Sequence, residues 1–151
     1  MYTIEEYDKE KTKVLKYVIY KKRTIREIKT KFKQVIDESM LEDIIEELKE
    51  NGYISDENYI KRAVSEYMAL KNLSIKEIKY KLISKGISNS MVEEYVSENL
   101  EELEDYEQKS ADNIVLKKIA SMDETEIKGY LLKKGYREES IKNAKCINIR
   151  D

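Results

Sequence analysis

Residues 73–82 read LSIKEIKYKL, and the pattern returns as RTIREIKTKF at 23–32 and MDETEIKGYL at 122–131. Laid over one another, Thr24, Ser74 and Asp123 share a position, 50 and 49 residues apart, as do Glu27, Glu77 and Glu126. Ile28, Ile78 and Ile127 coincide, and so do Phe32, Leu82 and Leu131. Ser, Thr and Asp are helix N-cap types, and a Glu three positions later completes a capping box in each copy. Within the middle copy Ile75, Ile78 and Leu82 fall on one helical face. Self-similarity at a period near 50 residues, carried by helices, predicts an array of small helical units.

Working outward, each copy is expected to be the second of three helices. A first helix is predicted from about Asp8 to Lys22 on Val14, Leu15, Val18 and Ile19, with residues 1–8 a frayed or extended lead. The helix capped by Thr24 should end near Val35. Ser39-Met40-Leu41-Glu42 forms a further capping box, and Asn51-Gly52 a stop. The second unit opens at Ser55 or Asp56 with Tyr59, Ala63, Tyr67 and Leu70 facing inward. It continues through the helix capped by Ser74 to Lys85-Gly86, then through Ser90-Met91-Val92-Glu93. The acidic run from Glu98 to Glu107 is expected to extend a helix into solvent or to link units. Ile114, Val115, Ile119 and Met122 mark the next helix, Lys134-Gly135 a stop, and Arg137 to about Ile147 a short last helix. The first copy has no glycine where the second has Gly86, so its second helix must end differently. The expected architecture is all-α, an elongated array of three tandem three-helix repeats at 1–52, 53–107 and 108–151.

Composition supports helix throughout: 151 residues with no Pro and only four Gly. Apolar runs of four or five residues are too short to span a membrane, and the first residues lack the basic start and apolar core of a secretory signal. A single cysteine, Cys146, points to a reducing compartment, so a cytoplasmic protein is expected. Charge is blocked along the chain. Residues 9–35 hold eleven Lys or Arg against two acids, and residues 37–57 nine acids against Lys49. Residues 61–85 return to seven basic against two acidic, and 93–107 hold eight acids and no base. Such segregation can orient a protein on a polyanion although the net charge is −2.

Catalytic chemistry finds no footing. There is no histidine, which removes the usual general base and the commonest zinc ligand. The four glycines, at 52, 86, 129 and 135, form no phosphate-cradling loop. No enzyme, cofactor or metal is expected. Twelve tyrosines invite a stacking role in single-strand binding, but Tyr59, Tyr67 and Tyr95 fall on apolar stripes and read as core. Tyr20, Tyr80 and Tyr130 stand apart, two of them beside basic residues on the capped helices. The candidate contacts are basic: Arg26 and Lys29 in the first unit, Lys76, Lys79 and Lys85 in the second, Lys128, Lys133 and Arg137 in the third. Lys29, Lys79 and Lys128 are repeat-matched.

YKKRTIREIKTKF (20–32), LEDIIEELKENGYISDENYIKRAV (41–64), SIKEIKYKLISKGISNSMVEEYV (74–96) and YLLKKGYREESI (130–141) occur in that order. In this order and spacing the chain resembles the RecX family, bacterial regulators of the RecA recombinase. The most specific piece is GYISDENY, Gly52 to Tyr59. The resemblance implies an elongated, all-helical protein that binds RecA, typically its filament on single-stranded DNA, and reduces ATPase and strand exchange. Members are thought to lie along the filament groove, so single- or double-stranded DNA is a second expected contact for the basic helices, and a monomer is expected. Two departures from the pattern are the missing glycine of the first repeat and the early end of the third.

Two other readings compete. Residues 24–54 look like a helix-turn-helix leading into a wing, as in a winged-helix transcription regulator, which needs two strands after Gly52. A helical scaffold binding another protein is the other.

Overall fold

The computed structural model describes residues 2–144, and there the chain is all helical. Its helices are α1 (Ile4–Tyr20), α2 (Ile25–Phe32), α3 (Glu38–Glu50), α4 (Asp56–Leu70), α5 (Ile75–Ser84), α6 (Asn89–Glu98), α7 (Leu100–Lys118), α8 (Glu124–Lys133) and α9 (Glu138–Lys142). Helix α4 occupies the segment where a wing would need two strands. The end expected for the last helix, near Ile147, and Cys146 lie outside the described residues.

The capped helices form as their sequence dictates. In α2 the Thr24 hydroxyl accepts the Glu27 N–H (3.1 Å) and the Glu27 carboxylate accepts the Thr24 N–H (2.9 Å). Ser74 and Glu77 repeat both bonds at 3.0 Å before α5. Asp123 and Glu126 do so before α8, at 2.9 and 3.2 Å. The core face is the predicted one, with Ile28, Ile78, Leu82, Ile127 and Leu131 at most 1% exposed.

Other boundaries shift, each for a local reason. Helix α1 begins at Ile4 rather than near Asp8, because Thr3 caps it by accepting the Glu6 N–H. Helices α3 and α6 are capped by Asp37 and Ser88, not by Ser39 and Ser90, so both start earlier than expected. Ser55 accepts the Asn58 N–H and opens α4, while Asp56 is used elsewhere. In α4 the buried residues are Ile60, Ala63 and Val64; Tyr59 and Tyr67 are half-buried and Leu70 is 73% exposed. The acidic run is neither a linker nor fully solvated. It forms the first half of α7, so a boundary after Glu107 falls inside a continuous helix, and Leu103, Tyr106 and Glu107 are buried there.

The chain divides into two compact units, Met1–Lys61 with Ser84–Ile87, and Arg62–Ile83 with Ser88–Asp151. The core of the first is built from α1, α2 and α3, around Val14, Val18, Ile28, Phe32, Ile44 and Leu48. The second has a core of Ala111, Val115, Ile127, Leu131, Tyr136 and Ile141 from α7, α8 and α9.

The same junction is built inside each unit. In the first, the Thr24 hydroxyl donates to the Lys85 carbonyl at 2.7 Å and Asp56 accepts the Ile25 N–H at 3.0 Å. In the second, the Ser74 hydroxyl donates to the Lys134 carbonyl at 2.8 Å and Glu107 accepts the Ile75 N–H at 2.8 Å. A hydroxyl can accept from its own helix and donate outward at once, which a carboxylate cannot. Thr24 and Ser74 are accordingly fully buried, whereas Asp123 caps from an exposed position.

Candidate functional site

The junction in each unit places basic side chains around a tyrosine. In the first unit a shallow groove is lined by Tyr17, Arg26, Thr30, Lys31, Ser84 and Lys85, with Glu27 at its side. The Arg23 guanidinium lies 4.1 Å from the Tyr17 ring centre and the Lys31 ammonium 5.8 Å. Phe32 meets the same ring edge-on at 5.5 Å, which holds it upright. Arg23 and Lys31 thus lie against the Tyr17 ring, Arg26 and Lys85 line the same groove, and the Glu27 carboxylate beside them accepts the cap N–H of Thr24. The arrangement is an electropositive groove beside a half-buried tyrosine, suited to a phosphate backbone.

The second unit repeats the elements at the same spacing. Tyr67 stands 50 residues after Tyr17 and Lys81 50 after Lys31, with the Lys81 ammonium 5.9 Å from the Tyr67 ring centre. Lys76 occupies the place of Arg26, and Lys134 that of Lys85. Lys134 also faces Tyr130 at 5.6 Å, beside Lys118 at 4.8 Å.

Of the residues proposed from sequence, Arg26 and Lys85 meet in the first groove and Lys76 sits at the second junction. Lys29, Lys79 and Lys128 share a sequence position but not an environment. Lys29 is exposed beside Lys33, Glu38 and Glu42. Lys79 is 3.2 Å from Glu93 and Lys128 2.9 Å from Glu124. Surface pairs of this kind contribute about 0–1 kcal/mol and exchange readily. Lys133 is exposed. Arg137 is committed to structure: its guanidinium reaches Glu107 and Glu104, each at 2.8 Å, and Ser140 at 3.0 Å.

Sequence reasoning missed Tyr17, Arg23, Lys31, Lys81 and Lys134, and placed Tyr67 in the core. The spacing of 50 that links Tyr17 to Tyr67 and Lys31 to Lys81 was the available signal. Tyr20 and Tyr80 are 85% and 73% exposed, whereas the buried tyrosines are Tyr106 and Tyr136.

The junction carboxylates differ in charge environment. Burial alone pushes Glu107 up, but the Ser140 hydroxyl, the Ile75 N–H and the Arg137 guanidinium and N–H together hold it below the usual carboxylate range. Burial raises Asp56; the Ile25 N–H and Lys49 oppose the rise and Glu27 adds to it.

Among the described residues no group of three or more Cys, Asp or Glu could hold a metal ion, and no helix is long and apolar enough to cross a membrane.

No family model matches the chain. A protein of Staphylococcus carnosus named Regulatory protein RecX is 32% identical over 135 residues, covering 86% of this chain and 50% of that protein. A protein of the same name from Clostridium beijerinckii is 31% identical over 143 residues, covering 85% of this chain and 65% of its own. The chain thus spans about half the length of the first relative and 65% of the second. The fold is that of a crystal structure of RecX from Lactobacillus salivarius, with a TM-score of 0.81 over 97% of this chain and 99% of that one, at 22% identity.

Proposed function

We propose that this chain, which belongs to the RecX family of regulatory proteins, binds the RecA recombinase on its single-stranded DNA filament and lowers its ATPase and strand exchange. The observation that carries this reading is the recurrence of one arrangement, a lysine of the capped helix over a tyrosine ring, at a 50-residue interval in two separate units. A partner recognised by repeated, similar contacts is itself repetitive, as a filament is, and repeated cationic contacts favour its phosphate-rich component. In this reading the capped-helix repeats, about 50 residues apart, are the functional periods, and the chain acts as a monomer in the cytoplasm, in contact with both RecA and DNA. It works by occupancy rather than catalysis.

Sedimentation tests it. RecA filaments assembled on single-stranded DNA with a non-hydrolysable nucleotide are expected to carry the chain into the pellet, with release as salt rises because the contacts displace counterions. A chain that stays in the supernatant at every salt concentration contradicts the proposal and moves the reading to a scaffold for another protein.

A further inference from the structure

The glycines that end α5 and α8 do more than close a helix. Gly86 has φ +105° and Gly135 φ +92°, a backbone region that favours glycine. Each also lies under a basic side chain of the preceding capped helix. A β-carbon on Gly86 would stand 2.5 Å from Arg26 Cβ and 2.7 Å from its Cδ. One on Gly135 would stand 2.9 Å from Lys76 Cδ and 3.0 Å from Cβ. Gly52 makes the same kind of helix end, with φ +82°, and has nothing within 4 Å of that point.

We propose that Gly86 and Gly135 are positioning residues for anion binding, each a seat on which the stem of Arg26 or Lys76 rests so that its charged end is held over the groove. The inference rests on the grooves being the nucleic-acid contact, and the ligand it specifies is a phosphodiester of a single strand. Two consequences follow from the geometry. A seated stem has fewer rotamers to lose on binding, so its contact with phosphate forms at lower entropic cost. The seat also keeps Arg26 in the groove with Lys31 and Lys85, three cations against the single carboxylate of Glu27 among the lining residues.

The test uses the full chain and a labelled single-stranded oligothymidylate, with affinity measured across a salt series. Asparagine tolerates the left-handed region better than other side chains, so Gly86→Asn suits the backbone of the helix end but forces Arg26 away from it at its β-carbon, while Gly52→Asn supplies the matching change without a neighbour. Gly86→Asn is expected to bind about tenfold more weakly, as for loss of one charge-assisted hydrogen bond. Its slope of log affinity against log salt should be shallower by about 0.7, one phosphate contact on a single strand. Gly52→Asn should match the parent in both. In an Arg26→Ala background, which keeps the β-carbon above Gly86 but no charge, Gly86→Asn should leave the salt slope unchanged. If Gly86→Asn does not fold, Gly135→Asn replaces it; its looser contact with a flexible Lys76 predicts about a threefold loss. Equal behaviour of the glycine variants, or a further fall in salt slope in the Arg26→Ala background, overturns the seat while leaving the grooves intact. No binding by the parent chain overturns the groove reading, and the seat with it.

Discussion

Replacing Glu107 by glutamine is expected to destabilise the second unit by about 3 kcal/mol, in the range for breaking a buried charge pair, and to lower its melting temperature by about 15 °C. Glu107 is fully buried on an otherwise acidic helix. Its carboxylate accepts from the Ile75 N–H (2.8 Å), the Arg137 N–H (3.2 Å), the Arg137 Nε–H (2.8 Å) and the Ser140 hydroxyl (2.6 Å). These donors tie α5 and α9 to α7. Glutamine brings an amide that donates where only acceptors fit, so part of the network is left unmade and buried. Glu104, which pairs with Arg137 from a 40% exposed position, is the contrast; Glu104→Gln is expected to cost less than about 1 kcal/mol. Melting of Glu107→Gln indistinguishable from the parent would contradict the network's role.

The same carboxylate sets an acid dependence. Its folded pKa is depressed, so its stabilisation is complete above the unfolded carboxylate value of about 4.3 and is lost as pH falls through the lower folded value. Glu107→Gln should flatten that acid limb. Asp56, its counterpart in the first unit, has a raised folded pKa. Its contribution runs oppositely: it favours the folded state at low pH and fades as pH rises through the folded value.

The second large effect concerns binding. Reversing Arg26, Lys31 and Lys85 to Glu is expected to weaken filament binding by about a hundredfold at moderate salt, since three cationic contacts become repulsive. All three side chains are exposed, so stability should change by no more than about 1 kcal/mol. The matched control reverses Lys9, Lys29 and Lys33, an identical charge change outside the groove, and should lose far less. Equal losses in the two variants would mean that general charge, not the groove, carries the interaction. Lys29 makes this control pointed, because its sequence position alone ranks it with Arg26.

Why sequence ranks them together is instructive. Capping boxes and glycine stops are local, so Thr24, Ser74, Asp123, Gly86 and Gly135 were legible from a few neighbouring residues. The core faces of α2, α5 and α8 followed from the spacing of their apolar residues. What failed depended on partners distant in the chain. Glu107 reads as one more acid in a solvated run until Arg137 and Ser140, 30 and 33 residues later, enclose it. Arg26 and Lys29 differ only in which side of α2 Gly86 meets. In α4 the expected stripe of Tyr59, Ala63, Tyr67 and Leu70 and the buried one of Ile60, Ala63 and Val64 share Ala63 and are adjacent on the helix, and the side that turns inward is set by packing, not by period. Thr3 was legible as a cap with Glu6 but lay in a segment too short and charged to suggest order.

RecA ATP hydrolysis on single-stranded DNA, with this chain titrated in, tests the central claim most directly. The account predicts inhibition at well below one chain per RecA, relieved in the variant reversed at Arg26, Lys31 and Lys85. Undiminished hydrolysis at stoichiometric chain, with the helical fold intact, would contradict it.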